Sequence, residues 1–311
     1  MEKPRVNFRD LARRALDLSV VPAVRRSTAL QGIVRHVSTR VPGFVVPYAE
    51  DVYLHLRDCF VRNGRTSTYD ANVRARIVER FEAIHAKVTI ASSPTDGLFL
   101  AEAALDVDAA GEMVECGCYQ GGSTAKLSIL ASVTSRKLVV FDSFEGLPES
   151  DSHNDQDLHV RMPSEWMNPW KPGDWAGSLD LVKANVERFG EMDVCTFVKG
   201  WFQDTLTGNA LPAAVAMAFT DVDMPSSARQ CLESIWPRLS DRGAYFSHDV
   251  GFIKVLKELT DETLWREVLH EPVPIIYGAG YGLGDTSRML GFMVKGRDLS
   301  AEYINSLTVD K

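Results

Sequence analysis

Five acidic side chains and one histidine stand where predicted β-strands end, and these residue types bind ligands and move protons. They are Glu115, Asp142, Asp221 with Asp223, and His248 with Asp249. A carboxylate at a strand end is a good acceptor for ribose hydroxyls, and an unperturbed histidine titrates near neutral pH. Because ligands of parallel α/β sheets bind beyond the carboxyl ends of the strands, we expect this edge to be the rim of an active site.

The elements that would position these side chains alternate along the second two-thirds of the chain. Amphipathic helices such as STAKLSILASV and SLDLVKANVERFG separate short apolar segments, which is typical of a doubly wound α/β fold with a mostly parallel sheet. Seven strands are predicted, in the segments EMVEC, KLVVFD, VCTFVKG, AVAMAFTDVD, AYFSHD, VPIIYG and MLGFMV.

A glycine-rich bend between the first strand and its helix predicts a bound cofactor. The stretch VECGCYQGGS lacks the G-x-G-x-x-G fingerprint of dinucleotide-binding folds, which argues against a nicotinamide dehydrogenase. Glu115 and Asp142 end the first two strands, so ribose recognition is present without a pyrophosphate nest. S-adenosylmethionine (SAM), whose nucleoside carries one ribose and no phosphate, fits this combination.

Several motifs in the same order resemble the macrocin O-methyltransferase (TylF) family, which has the class I SAM-dependent methyltransferase fold. The resemblance covers roughly residues 90 to 295 and rests on VECGCYQGGS, FDSFEGLPE, SLDLVKANVERFG, GWFQDTL and TDVD…CLESIWPRLS.RGAYFSHD. It implies an O-methyltransferase that acts on a hydroxyl of a small molecule, such as a sugar or scaffold in antibiotic-type biosynthesis.

The resemblance also implies roles for individual residues. Those expected around the methionine end of SAM are Glu115, Gly117, Tyr119, Gly121, Gly122 and Ser123. Asp142 would bind the ribose, with Ser143 and Phe144 beside it, and Trp201, Phe202 and Gln203 would surround the adenine. Plain core packing is the alternative for the two aromatic residues of this last group.

At the chemical end the family places a divalent cation, held by an aspartate after the fourth strand and a pair after the fifth. Here these positions are Asp221 and His248–Asp249. The family pair is usually Asp-Asp or Asp-Asn, which suits Mg²⁺, so the histidine favours another divalent metal or none. Without a metal, His248 would be the general base, or a merely structural residue, and altered chemistry such as N-methylation or a non-methylating reaction is the alternative function.

Two regions lie outside the alternating pattern. Residues 1–95 are predicted to form an N-terminal helical cap, and residues 96–311 the methyltransferase domain, with a lid insertion at 149–177 that holds Trp166, Trp170 and Trp175. His153 and His159 of this lid are secondary candidates for contact with the substrate.

A catalytically dead interaction module is a weaker alternative for the function of the chain, because the acidic residues expected at the cofactor remain.

The composition excludes some classes of partner. The chain has 311 residues and a net charge of −8, which argues against generic nucleic-acid binding, although residues 1–48 carry nine Lys/Arg and three Asp/Glu. Five scattered cysteines indicate reduced thiols, with Cys116 and Cys118 as packing residues, and no apolar run has membrane-spanning length. We therefore expect a cytoplasmic enzyme, a homo-oligomer of dimer type, with a hydroxylated small molecule as its partner.

Overall fold

The computed structural model describes residues 47–65, 68–149, 171–278 and 289–297. Outside these ranges lie residues 1–46, which include all nine Lys/Arg of the basic N-terminal segment, and residues 298–311. Residues 150–170 of the predicted lid, with its two histidines and first two tryptophans, also lie outside them. The predicted division into a cap, a methyltransferase domain and a lid stays a prediction.

Three helices precede the first strand: α1 (Pro47–Asn63), α2 (Ala71–Lys87) and α3 (Pro94–Asp106). The sequence explains where two of them begin. The Asp70 carboxylate accepts hydrogen bonds from the first turn of α2. Ser93 and Asp96 form a reciprocal capping box at the start of α3, with Pro94 in its first turn.

Strands and helices then alternate as the sequence predicts. The order is β1 (Glu112–Cys116), α4 (Gly122–Val133), β2 (Leu138–Asp142), α5 (Leu179–Phe189), β3 (Cys195–Lys199), α6 (Phe202–Thr205), β4 (Val215–Thr220), α7 (Pro225–Ile235), β5 (Leu239–Ser247), α8 (Ile253–Leu259) and β6 (Gly291–Val294). No helix within the described ranges is both long enough and apolar enough to cross a bilayer.

The six strands form one sheet in the order β3-β2-β1-β4-β5-β6, parallel except for β6 against β5. The doubly wound α/β fold class is confirmed. The predicted strand VPIIYG is represented, within the described ranges, by a single bridge between Tyr277 and Phe292 beside β6. Pro272 and Pro274 have no N–H to donate to a ladder, which explains why this segment does not pair along its length.

Alternate strand residues face two hydrophobic clusters, one on each side of the sheet. In β1, Met113 belongs to the cluster formed with α1 to α5, whereas Val114 belongs to the cluster formed with α7 and α8. Helices α1 and α2 therefore share their core with the sheet and with helix α4. This packing places the linker between α2 and α3 over the carboxyl edge of the strands.

Candidate active site

The sheet reverses its strand order between β1 and β4, and the site opens at this point. Gly117 follows β1 with φ of +82°, and a Cβ there would overlap the carbonyl oxygen of Asp221, which follows β4. Only glycine meets both requirements, because other residues resist this backbone conformation and would not fit. Crevices at such switch points are the usual ligand sites of open α/β sheets.

A cavity of about 520 Å³ occupies this crevice. Its wall includes twelve of the fifteen residues to which the family resemblance gives a role: Gly117, Tyr119, Gly122, Ser123, Asp142, Ser143, Trp201, Phe202, Gln203, Asp221, His248 and Asp249. Residues from four strand ends and one short helix therefore converge on a single volume. Its size is within the range of small-molecule sites.

Asp142 is held rigidly at the cofactor side of the cavity. Its Oδ2 accepts a hydrogen bond from the Cys118 amide at 2.7 Å, and its Oδ1 accepts one from the Phe144 amide at 2.6 Å. Burial raises the pKa of this carboxyl, and the backbone hydrogen bonds oppose that rise. Each oxygen keeps a further lone pair for a ligand hydroxyl, so the geometry fits a ribose.

Three of the predicted cofactor residues are absent from the cavity wall. Glu115 lies inside β1 with its side chain fully buried, and burial raises its pKa to about 8, partly offset by the hydroxyls of Ser123 and Thr124. Neither of its oxygens accepts a well-formed hydrogen bond within the described part of the chain. Gly121 packs against Val182 of α5, which its Cβ would approach to 3.0 Å.

Phe144 is the third of these residues. Its ring is buried and lies 6.5 Å from that of Phe197, so it belongs to the core below the loop. Glu115 lies within β1, whereas Gly121 and Phe144 lie in the turns that follow β1 and β2. The roles of all three toward SAM stay predictions.

The aromatic residues after β3 face the cavity. Trp201 precedes the one-turn helix α6 and is only partly buried, while Phe202 packs its other side on the cluster below α7. Tyr119 and Trp175 meet edge to face across the opening, with ring centroids 5.3 Å apart. Flat apolar walls of this kind suit a purine, and the role of Trp201, Phe202 and Gln203 toward the adenine stays a prediction.

Three aspartates meet at the other end of the cavity from Asp142. Carboxylate oxygens of Asp221, Asp223 and Asp249 lie within 4.8 Å of one another. Asp249 accepts hydrogen bonds at Oδ2 from the amides of Val222 and Asp223, at 3.0 and 3.1 Å, whereas its buried Oδ1 has no partner among the described residues. An acidic cluster with an unsatisfied oxygen fits a divalent cation that takes oxygen ligands.

Burial and mutual repulsion raise the pKa values of the buried carboxyls in this cluster. Burial and the neighbouring Asp221 raise the pKa of Asp249 to about 7. Burial, Asp249 and Asp221 together raise the pKa of Asp223 well above its usual value. Like charges that cannot be hydrated favour either protons or a cation between them.

His248 lies beside the three aspartates but is not part of the group whose possible ligand atoms lie within 4.8 Å of one another. Its Nε2 is 3.2 Å from Oδ2 of Asp96, and its Nδ1 is 3.4 Å from Oδ1 of Asp221. Burial opposes the charged imidazolium, but Asp221 and Asp96 outweigh it and raise the pKa of His248 well above its ordinary value. The structure thus brings the three predicted catalytic residues together, with both imidazole nitrogens directed at carboxylates.

Sequence reasoning missed part of the wall. The linker Thr89–Ser92 covers the cavity from the N-terminal helices, and Ser226, Ser227 and Gln230 line it from α7. The sequence analysis also missed Asp96, which lies behind the wall and contacts His248, because the motif SPTD is typical of a helix start and gives no sign of a second partner. No local pattern distinguishes a serine in a helix that lines a site from one that faces solvent.

Comparison with known proteins agrees with this geometry. The sequence profile of the macrocin O-methyltransferase (TylF) family matches residues 99–280. A Streptomyces olivaceus protein named as 8-demethyl-8-(2,3-dimethoxy-alpha-L-rhamnosyl)-tetracenomycin-C 4'-O-methyltransferase is 30% identical over 249 residues, which are 75% of this chain and 92% of that protein. The solved structure of the O-methyltransferase NovP superimposes with a TM-score of 0.53 at 21% identity, over 66% of this chain and 81% of that one.

Proposed function

Because the chain belongs to the macrocin O-methyltransferase (TylF) family and is a SAM-dependent O-methyltransferase, we propose that its acceptor is a hydroxyl on the sugar of a glycosylated secondary metabolite. The main support is that one cavity is lined at one end by Asp142, which suits a ribose, and at the other end by the three carboxylates around Asp221. The relative's name includes a rhamnosyl group, which supports a sugar acceptor. Ser226, Ser227 and Gln230 supply hydroxyl and amide groups beside the carboxylates, as a sugar requires.

We further propose that the carboxylates of Asp221, Asp223 and Asp249 hold a divalent cation of the Mg²⁺ or Mn²⁺ type. This ligand set differs from the one the sequence suggests, since Asp223 takes the place of His248. An all-oxygen set restores the preference for hard cations that a histidine ligand would weaken.

When bound, SAM supplies the methyl group and the cation lowers the pKa of the acceptor hydroxyl. The chain's own residues hold the two reactants. Gly117 would let the backbone approach the cofactor, Asp142 would accept hydrogen bonds from its ribose hydroxyls, and the aspartate cluster would hold the cation to which the acceptor oxygen binds. Holding both reactants in an attack geometry is a large part of the rate enhancement available to such a transfer.

A metal-independent reaction with His248 as general base is the second candidate, because this imidazole does line the cavity. The two mechanisms differ in their response to a chelator. With a bound cation, EDTA abolishes turnover and Mg²⁺ or Mn²⁺ restores it. With His248 as base, EDTA changes nothing and the rate falls as the imidazole becomes protonated.

The decisive assay compares a rhamnosylated tetracenomycin with its aglycone, in the presence of SAM, before and after EDTA. We expect methylation of the glycoside alone, loss with EDTA and recovery with Mg²⁺. Asp221→Asn should lose both turnover and metal binding, whereas the control Asp204→Asn, at an exposed position in α6, should keep both. Methylation of the aglycone at an equal rate would contradict the sugar acceptor, and full activity of Asp221→Asn would contradict the metal site.

The compartment and the oligomeric state of the protein are also proposed here. The five cysteines, all in described ranges, are unpaired, which suits a reducing cytoplasmic compartment. We propose a dimer that binds neither nucleic acid nor membrane. Light scattering at assay concentrations tests the dimer directly.

A further inference from the structure

A buried carboxylate from the N-terminal helices reaches the acidic end of the site. Asp96 lies in the first turn of α3, and its residue is 0% exposed. Its Oδ2 accepts the Ser93 amide at 2.8 Å and lies 3.2 Å from Nε2 of His248, which is 152 positions away in sequence. The same oxygen therefore closes the helix cap and faces the imidazole.

The other side of the imidazole faces the proposed metal ligands. Nδ1 of His248 is 3.4 Å from Oδ1 of Asp221, and the His248 side chain is 7% exposed. Phe219 of β4 packs against the ring, with centroids 6.4 Å apart. With carboxylates at both nitrogens and an aromatic ring beside it, the imidazole has one orientation that satisfies all three neighbours.

We propose that Asp96 is a positioning residue, which acts through His248 to orient the carboxylate of Asp221 toward Asp223 and Asp249. This inference rests on the proposed metal site. In this arrangement His248 is a hydrogen-bond bridge between α3 and the cluster; it is neither a metal ligand nor the base. The start of α3 thereby couples the packing of the N-terminal helices to the geometry of the site.

Two substitutions in the same capping box separate the positioning role of Asp96 from its role as a helix cap. Asp96→Asn removes the carboxylate that faces His248, but its amide oxygen still accepts the Ser93 amide. Ser93→Ala removes the other half of the capping box, in which the Ser93 hydroxyl accepts the Asp96 amide at 3.1 Å, and leaves the carboxylate in place. Ser93→Ala therefore weakens the cap and leaves the bridge, whereas Asp96→Asn keeps an acceptor for the Ser93 amide and removes the negative charge that faces His248.

The test measures three properties of the full-length wild type and of both variants: Mn²⁺ affinity, S-adenosylhomocysteine affinity, and the imidazole ¹⁵N resonances of His248, assigned by comparison with His248→Gln. We expect Asp96→Asn to weaken Mn²⁺ binding by about tenfold or more, the usual consequence of losing a partner that orients a metal ligand. It should also shift the His248 ¹⁵N resonances while S-adenosylhomocysteine affinity stays within about twofold. Ser93→Ala should leave Mn²⁺ affinity and the resonances as in the wild type.

Equal effects of the two variants on Mn²⁺ affinity, or wild-type affinity and resonances in Asp96→Asn, would overturn the positioning role. If the wild type binds no Mn²⁺, the metal site of the proposed function fails, and the ¹⁵N spectra alone decide the bridge. Resonances that shift in Asp96→Asn and not in Ser93→Ala then still support the bridge, and unchanged resonances overturn it.

Discussion

At the scale of single residues, Asp142 shows how one carboxylate serves both the loop and the ligand. It accepts two backbone amides, from Cys118 and Phe144, and still faces the cavity. We expect Asp142→Ala to weaken S-adenosylhomocysteine binding by about 1–3 kcal/mol, the typical cost of removing a partner from a buried polar group. Isothermal titration calorimetry measures this change.

The control for this substitution lies three residues away. Glu145 is exposed and pairs with Lys199 at 3.1 Å, outside the cavity wall. Glu145→Ala should therefore bind S-adenosylhomocysteine like the wild type. Unchanged affinity in Asp142→Ala would remove the ribose assignment.

At the scale of elements, the linker between α2 and α3 packs directly on the start of α4. A Cβ on Gly122 would overlap the side chain of Ile90. We expect Gly122→Ala to lower both the free energy of unfolding and S-adenosylhomocysteine affinity, because Ile90 must move within the cavity wall. In Gly122→Ala combined with Ile90→Ala, the second substitution should recover part of both losses, and a double-mutant cycle gives the coupling. Additive losses would show that the two elements are not in contact.

Helices α2 and α3 are joined by an arginine and two carboxylates that are almost fully buried. Arg74 of α2 is 2.9 Å from Glu102 and 3.7 Å from Asp106 of α3, with side chains 0%, 6% and 6% exposed. Arg74→Met should lower the free energy of unfolding by about 3–5 kcal/mol, since it leaves buried carboxylates uncompensated. The Arg266–Glu262 pair is the control, because its side chains are 78% and 79% exposed.

Arg266→Ala should change the free energy of unfolding by less than about 0.5 kcal/mol, as exposed pairs contribute little. Denaturant unfolding measures both variants. Similar losses in the two would mean that burial does not govern this pair.

At the scale of the whole molecule, a buried lysine makes stability depend on pH. Burial lowers the pKa of Lys126 in α4 from 10.5 to about 7, and its Nζ lies 2.5 Å from Nε2 of His85 in α2. Between pH 7 and 10.5 the unfolded chain keeps a proton that the folded chain lacks, so stability rises with pH in this window. The burial penalty is full below pH 7.

Comparison with Lys126→Met isolates this contribution, because the buried thiols titrate equally in both proteins. The stability of the wild type relative to the variant should rise by about 1.4 kcal/mol per pH unit between pH 7.5 and 9.5. Lys137→Met, at an exposed position, should give a curve parallel to the wild type. A parallel curve for Lys126→Met would show that this lysine stays charged in the fold.

The architecture could be predicted because its signals are local. Apolar alternation located five of the six strands to within a few residues, and the ends of β2 and β4 placed Asp142 and Asp221 at the cavity edge. The same reasoning placed Glu115 at the ligand; its side chain is fully buried in β1, and its role toward SAM stays a prediction. A strand-end position predicts the edge of the sheet and leaves the facing of each side chain open.

By itself the sequence determined a doubly wound sheet, a ligand site at the carboxyl edge of its strands, and a SAM-dependent O-methyltransferase, because short periodic patterns and ordered motifs carry that information. Only the tertiary structure decided that Asp223 joins Asp221 and Asp249, and that His248 lies between Asp96 and Asp221. The second result depends on how α3 packs against the sheet. Residues that far apart in the chain become neighbours only when the buried surfaces of the helices and strands are fitted together, and no local pattern encodes that fit.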